Sequence, residues 1–183
     1  VLRADRQAGG VGVVTTQRDR IRGYVASHPG IHFNQLARDL DLATGQLQYH
    51  LKKLRRTDDV VSESLYGRTH YFTPEYGAWE RGAVAVLRRE TARDVLLYLI
   101  ERGPSAPTPV ADELNVARST LEWHLGHLVE QGLVEKRRDE RGRVTLVLSR
   151  PDETATLLRL VEPSVPERLV DRFTRLVDGL VGE

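Results

Sequence analysis

The chain has 183 residues, of which 40% are hydrophobic and 29% charged, and its formal net charge at pH 7 is +1. This composition is typical of a globular protein with one ordinary domain or two small ones. The chain has no cysteine, which excludes disulfides, thiolate metal sites and cysteine nucleophiles. Apolar stretches such as Val95 to Ile100 are far shorter than the roughly 20 residues that span a bilayer. We therefore expect a cytoplasmic protein without a membrane segment.

An internal repeat organises the chain. Leu36 to Ala43 aligns with Val110 to Ala117, and Gln46 to Leu51 aligns without a gap with Thr120 to Leu125. Self-similarity of this kind indicates a duplicated structural unit. We predict that both copies contain a short helix, a tight turn, a longer helix and a β-hairpin.

The repeat also sets the domain boundaries that we expect. Residues 1–14 are Gly-rich, lack an initiating Met and are expected to form a flexible tail. The other predicted segments are a first domain in residues 15–75, a connecting helix in residues 76–90, a second domain in residues 91–150 and C-terminal helices in residues 151–183.

In the first copy, Thr16 with Asp19 three residues later predicts the start of a helix. Apolar spacing around Leu36 predicts a second helix, and Asp41 to Ala43 is too short for anything but a turn. A third helix is predicted from Thr44 to Arg56. Because two helices joined at a steep angle let the second protrude, we expect this third helix to be a reading element.

A β-hairpin is predicted to follow the third helix. Val60 to Ser64 and Thr69 to Thr73 alternate like strands around the turn Tyr66-Gly67-Arg68. Gly67 can supply the positive φ that such a turn requires.

The second copy repeats these signals. Thr91 is predicted to start its first helix, and Thr108 to cap the next one. The third helix is predicted from Arg118 to Gln131, and the hairpin strands from Leu133 to Arg137 and from Arg143 to Leu148.

Further helices are predicted outside the two copies. Trp79 to Arg89 is a partly apolar connecting helix, and helices are also predicted from Asp152 to Val161 and from Pro166 to Val181. The last helix carries an apolar stripe that must be buried, formed by Leu169, Val170, Phe173, Leu176, Val177 and Leu180. We expect a homodimer in which this stripe pairs with its twin or with the connecting helix of the partner. Docking onto its own chain is the alternative.

Two segments carry a family resemblance. Pro29 to Ala37 and Gly45 to Leu51 are similar to the start and recognition helix of archaeal regulators with two winged helix-turn-helix domains, which are related to ArsR and MarR type repressors. The resemblance covers about Asp19 to Leu148 and implies a mainly α fold with small β-hairpin wings. One departure is that Asp58 and Asp59 stand where Gly132 and Leu133 stand in the second copy.

The third helix of the first copy has the residue types that read DNA. An α-helix fits the major groove, where each base pair presents its own pattern of donors and acceptors. Gln46 and Gln48 can bond bidentately to adenine, and no acidic residue occurs in this helix. The predicted contacts with double-stranded DNA are Thr44, Gly45, Gln46, Gln48, Tyr49, Lys52, Lys53, Arg56 and, at the hairpin tip, Arg68.

The second copy is less suited to base reading, because Glu122 and Glu130 repel phosphate. Its wing concentrates cations around Asp139 and Glu140. We predict that the first copy reads most bases, while the second contributes wing contacts or a protein interface. For Trp123 the alternative to a DNA contact is that it covers part of the interface between the two domains. The predicted contacts of the second copy are Arg118, Ser119, Thr120, Arg138, Arg141 and Arg143.

Catalytic and metal-binding patterns are weak. His124 and His127 are three residues apart on a helix, a spacing that metals use, but no cysteine or carboxylate cluster completes a site. His50 aligns with His124, which favours a packing role for both. No nucleophile elbow or phosphate loop occurs. We therefore expect no enzyme, metal or cofactor, and no pattern identifies a small-molecule or protein effector.

Two other functions are compatible with this fold. One is a protein-interaction scaffold, such as the kleisin-binding subunit of bacterial condensin. The other is a basal transcription accessory factor that binds polymerase or general factors and touches DNA weakly. The cationic, amide-bearing helix from Thr44 to Arg56 argues for the DNA-binding regulator instead.

Overall fold

The structure, a computed structural model, describes residues 15–161. The predicted tail in residues 1–14 and the predicted last helix, with its proposed dimerisation residues, lie outside the described residues. Within residues 15–161, no helix has both the length and the apolar character needed to cross a bilayer.

Helices dominate the described chain, with short strands between them. In chain order the elements are α1 (Gln17–Ser27), β1 (Ile31–His32), α2 (Phe33–Asp39), α3 (Thr44–Arg56), β2 (Val61–Leu65), β3 (Arg68–Phe72), α4 (Ala78–Leu87), α5 (Glu90–Arg102), α6 (Pro107–Leu114), α7 (Arg118–Glu130), β4 (Val134–Arg138), β5 (Val144–Leu148) and α8 (Pro151–Leu160).

Both copies have the topology of a winged helix-turn-helix domain. In the first, β1 joins the β2-β3 hairpin to give an antiparallel sheet of order β1-β3-β2. In the second, a single bridge between Ser105 and Leu146 replaces the first strand beside the β4-β5 hairpin. The predicted mainly α fold with small wings is confirmed, whereas β1 was missed because two residues are too short to show an alternating pattern.

Local sequence signals explain the turns of both copies. Asp41 and Asn115, at equivalent positions after the second helix of each copy, have φ values of 52° and 49°. Asp58 and Gly132 end the two third helices with φ values of 54° and 64°. Since Asp and Asn tolerate this left-handed region better than most residues, the departure at Asp58 preserves the backbone path.

The predicted capping residues differ between the copies. Thr16 and Asp19 form the predicted capping box, with a Thr16 N to Asp19 Oδ2 distance of 2.9 Å. The expectation for Thr91 and Thr108 is wrong, because α5 begins at Glu90 and α6 at Pro107, each one residue earlier. Both threonines therefore lie inside the first turn, where their hydroxyls make no cap hydrogen bond.

The connecting helix α4 is part of the core. Val84, Val86 and Leu87 are fully buried and pack in one cluster with Phe72 of the first copy and with α5, α7 and α8. The prediction of a partly apolar connector that could accept a partner's last helix is therefore wrong, because its apolar side chains are already covered.

Two consecutive arginines after α4 tie the copies together. Arg88 is buried, and its Nε and Nη2 atoms donate to the Pro29 carbonyl oxygen at 3.0 and 2.7 Å. Arg89 donates from Nη2 to the Tyr66 carbonyl oxygen at 3.1 Å. The first copy is thus held at the end of α1 and at its wing, which fixes the side of the molecule on which α3 lies.

Candidate nucleic-acid interface

Helix α3 presents one apolar side to the core and one polar side to solvent. Leu47, Leu51 and Leu54 form the buried side. At about 100° per residue, the opposite line carries Gly45, Tyr49, Lys52 and Arg56, all of which are exposed. Gln46 and Gln48 flank this line and, like Thr44, are also exposed. Lys53 is half-buried. Four of the predicted contacts of α3 therefore share its outer line, and the two glutamines lie on either side of that line.

Tyr49 occupies the centre of this surface. Its side chain is 59% exposed, and the Lys53 Nζ atom lies 5.6 Å from the centroid of its ring. The rings of Tyr49 and His50 meet edge to face at 5.3 Å. Both contacts come from the same helix, so they orient the phenol ring while its outer face stays open to solvent.

The wing of the first copy turns toward the second domain. Its turn has positive φ at both central residues, 51° at Tyr66 and 78° at Gly67, as a tight hairpin with right-handed twist requires. The Tyr66 ring lies 4.4 Å from the His127 ring on α7, and its burial raises the pKa of Tyr66 to about 12. The tip of this hairpin therefore contacts the second domain, and Arg68, the predicted DNA contact next to the turn, is exposed.

Two side chains on the outer side of α7, Trp123 and His127, make contacts within the protein. The Trp123 ring lies 4.3 Å from the His127 ring and 4.7 Å from the Arg89 guanidinium carbon. Together, Tyr66, Arg89, Trp123 and His127 form an aromatic cluster between the domains, which we call the interdomain cluster. Within this cluster the direct contact between the domains is made by Tyr66 and His127, and Trp123, which is 46% exposed, lies beside it.

The repeat allows the two third helices to be compared position by position. The cations of α3 are Lys52, Lys53, Arg55 and Arg56, and the equivalent residues of α7 are Gly126, His127, Val129 and Glu130. Helix α7 thus has none of these four cations and carries an acid in their place. A surface of this kind does not suit a polyanion.

The start of α7 makes contacts within its own domain. Arg118 donates from Nη1 to the Thr108 hydroxyl at 3.1 Å, and Glu122 accepts from Lys136 Nζ at 2.6 Å. Ser119 is exposed and Thr120 half-buried. The predicted DNA contacts at the start of α7 therefore lie close together, but they lie next to an ion pair rather than on a cationic face.

Asp139 organises the wing of the second copy, a role that the sequence patterns did not predict. Its carboxylate accepts from the backbone N of Arg141 and of Arg143 at 2.9 Å each, and from Arg143 Nε at 2.7 Å. The hydrogen bonds from the Arg143 backbone and side chain lower the pKa of Asp139. An Asp three residues before Gly142 is a turn signal that could have identified this role. Arg138, Arg141 and Arg143 are all exposed.

His124 and His127 are not joined by further metal ligands. Within residues 15–161, no group of three or more His, Asp or Glu side chains is placed to hold a metal ion. His124 is buried, and His127 belongs to the interdomain cluster.

Comparisons with known proteins agree with this architecture. A family described as an N-terminal HTH domain matches residues 15–84, and a family described as a helix-turn-helix domain matches residues 87–137. The chain carries two tandem helix-turn-helix domains. This chain is 24% identical over 132 residues to an uncharacterised HTH-type transcriptional regulator of Methanocaldococcus jannaschii. These matches confirm the predicted resemblance to archaeal regulators with two such domains.

The extent of the matches differs between the proteins. The alignment with the Methanocaldococcus jannaschii regulator covers 72% of this chain and 33% of the relative, so the chain spans about a third of that protein's length. A solved structure of AbfR with a formed disulfide is similar over 76% of this chain and 92% of its own, at 14% identity and a TM-score of 0.35. At this score the two backbones superpose only in part.

Proposed function

We propose that this chain is a sequence-specific transcriptional regulator that binds double-stranded DNA by laying α3 into the major groove. One observation carries the proposal: the outer side of α3 is exposed over its whole length and combines amides, an aromatic ring and cations, with no acidic residue in the helix. The tandem helix-turn-helix matches support it. In domains of this type the second helix of the motif enters the major groove.

Base reading is assigned to the first half of α3. Gln46 and Gln48 present amides on either side of the outer line, and an amide can bond bidentately to adenine N6 and N7. A Cβ at Gly45 would meet no atom within 4 Å, so the backbone there is open to close approach by DNA. The Thr44 hydroxyl, at the first residue of the helix, is placed to contact a base edge or a phosphate.

Phosphate contacts are assigned to the cations around this surface. Lys52, Lys53 and Arg56 lie in the second half of α3, where they would set the register on the duplex without reading sequence. Arg68 lies on the first wing, at the start of β3, and Arg138, Arg141 and Arg143 lie on the second wing. In this proposal the second wing extends the phosphate track.

The second domain is assigned mainly to orientation. Its third helix is occupied by the interdomain cluster and lacks the cations of α3. Arg118, Ser119 and Thr120 therefore contribute at most backbone contacts at the start of α7. The cluster instead holds the two domains at one angle, so that α3 and the second wing meet the same duplex.

The proposal includes a cytoplasmic, non-enzymatic homodimer paired through Leu169, Phe173, Leu176, Val177 and Leu180. A two-fold dimer would address half-sites about 34 Å apart. Sedimentation of the full chain and of Phe173→Asp tests this pairing: the full chain should sediment as a dimer and the variant as a monomer. A monomeric full chain would rule the dimer out.

The experiment that tests the DNA proposal is selection of bound duplexes from a random DNA pool. The full chain should enrich a defined motif, and Gln46→Ala with Gln48→Ala should change the preferred bases. Arg102→Ala is a matched control, because this cation lies at the end of α5 near Glu113, away from α3. No enriched motif, or the same motif with and without the two amides, would contradict the proposal.

A further inference from the structure

Tyr49 has the most exposed side chain of the large hydrophobic residues within residues 15–161. It is 59% exposed, compared with 46% for Trp123, the next highest. Exposing an aromatic ring to water has a cost in free energy. Tyr49 lies at the centre of a polar helix face and packs against neither domain core. Its position therefore suggests that the ring contacts another molecule.

The internal repeat allows Tyr49 to be compared with the aromatic residue at the same position of the second copy. Trp123 is the residue equivalent to Tyr49, and its ring contacts His127 of the same helix and the Arg89 guanidinium, which itself binds the Tyr66 carbonyl oxygen of the first wing. Both aromatic rings also meet a neighbouring histidine edge to face, at 5.3 Å in the first copy and 4.8 Å in the second. The local geometry is thus the same in both copies, but the cation on the Trp123 ring comes from outside α7, whereas the cation on the Tyr49 ring comes from α3 itself.

We infer that Tyr49 reads the C5-methyl group of thymine in the major groove. This inference rests on the proposed function, since it requires α3 to lie in that groove. Among the four bases, thymine is the one that places an apolar group on the major-groove edge. The phenol ring, on the outermost line of α3, is the one large apolar side chain that this helix leaves exposed, and its face can cover such a methyl group.

The neighbours of Tyr49 fit an A·T pair. The flanking amides of Gln46 and Gln48 match the acceptor and donor of adenine, and adenine faces thymine across the pair. The Lys53 ammonium 5.6 Å from the ring centroid favours one ring orientation through a cation–π contact. Tyr49 and the two glutamines would therefore read neighbouring A·T pairs together, the ring through the methyl group and the amides through adenine.

Uracil is the probe that tests this reading, because it is thymine without the C5-methyl group. The duplex selected by the full chain is synthesised with thymine and with deoxyuridine in its place, and the affinities of the full chain, Tyr49→Phe and Tyr49→Ala are measured for both. We expect the full chain and Tyr49→Phe to bind the thymine duplex about fourfold more tightly for each methyl group covered. Tyr49→Ala should bind both duplexes equally.

The variants separate the possible failures. Equal binding of both duplexes by the full chain would overturn the inference, as would an undiminished preference in Tyr49→Ala. Equal losses in Tyr49→Phe and Tyr49→Ala, without any thymine preference, would assign the hydroxyl to a phosphate and overturn it as well. Binding of the full chain to the thymine duplex is checked first, and its affinity should fall as the salt concentration is raised. Its absence would contradict the proposed function itself, whereas its presence with no methyl effect would contradict the role of Tyr49 alone.

Discussion

Trp123→Ala and Tyr49→Ala remove equivalent aromatic rings and should have opposite consequences. Replacing a fully buried Trp by Ala costs about 3 to 5 kcal/mol, and Trp123 is 46% exposed, so about half of that cost applies. We expect Trp123→Ala to lower the free energy of unfolding by about 2 kcal/mol, which for a chain of this size lowers Tm by about 4 to 8 °C. This cost includes the cation–π interaction with Arg89, which the variant cannot make.

Tyr49→Ala should leave stability nearly unchanged, because the ring packs against no other element of the core. The expected change is within about 0.5 kcal/mol. Its affinity for the selected duplex should fall. Trp123→Ala keeps the contact between Tyr66 and His127 and should therefore lose less affinity than Tyr49→Ala at temperatures where it is folded.

Urea unfolding followed by circular dichroism, together with duplex binding, measures both effects on the same samples. Equal changes of unfolding midpoint in the two variants would refute the described packing of the interdomain cluster. A larger loss of DNA affinity in Trp123→Ala than in Tyr49→Ala would refute the division of labour between the two domains.

Three further predictions concern individual turns and caps. Thr16→Ala removes the capping box and should lower the free energy of unfolding by about 1 kcal/mol. Thr108→Ala removes no cap bond and only the exposed hydrogen bond from Arg118, so it should change the free energy by less than half as much in the same urea assay. Gly30 and Gly67 both have positive φ, 74° and 78°, but a Cβ at Gly30 would lie 2.7 Å from a buried valine methyl group, while one at Gly67 meets nothing within 4 Å. Gly67→Ala should cost about 1 to 2 kcal/mol, and Gly30→Ala should cost about 1 to 3 kcal/mol more; equal costs would contradict the described approach of α4. Because the pKa of Asp139 is lowered in the folded wing, its stabilising effect is present above the ordinary carboxyl pKa and is lost as pH falls through the lowered value. The amide resonances of the wing should shift in that acidic range, and Asp139→Asn should show the shifted positions at neutral pH.

Much of the fold could be predicted from the sequence, because its signals are local. The bounds of α3 follow from the spacing of Leu47, Leu51 and Leu54 and from the turn before Thr44. The left-handed residues after the helices are Asp, Asn or Gly, the residue types that tolerate this conformation. Errors arose where local signals compete: α6 begins at Pro107, a residue suited to the first helical position, and Thr108 is thereby placed inside the helix.

The arrangement between the domains could not be predicted, because it depends on contacts between residues distant in sequence. Nothing near Tyr66 indicates that its ring packs on His127, and nothing near Arg88 indicates that its guanidinium binds the Pro29 carbonyl oxygen. The alignment of the copies did contain a hint. The cations of α3 are absent from α7, which is a difference that a helix devoted to packing can accept and a DNA-reading helix cannot.

The salt dependence of DNA binding tests the central claim most directly. The affinity for the selected duplex is measured between low and physiological salt for the full chain, for Lys52→Ala with Arg56→Ala, and for Arg102→Ala with Arg159→Ala. If α3 lies on DNA, the first pair should reduce the log-log slope by about 0.9 for each phosphate that is no longer neutralised, or about 1.8 in total. The second pair removes the same charge from α5 and α8 and should leave the slope unchanged. Equal slopes for all three proteins would contradict the claim that this face of α3 binds the duplex.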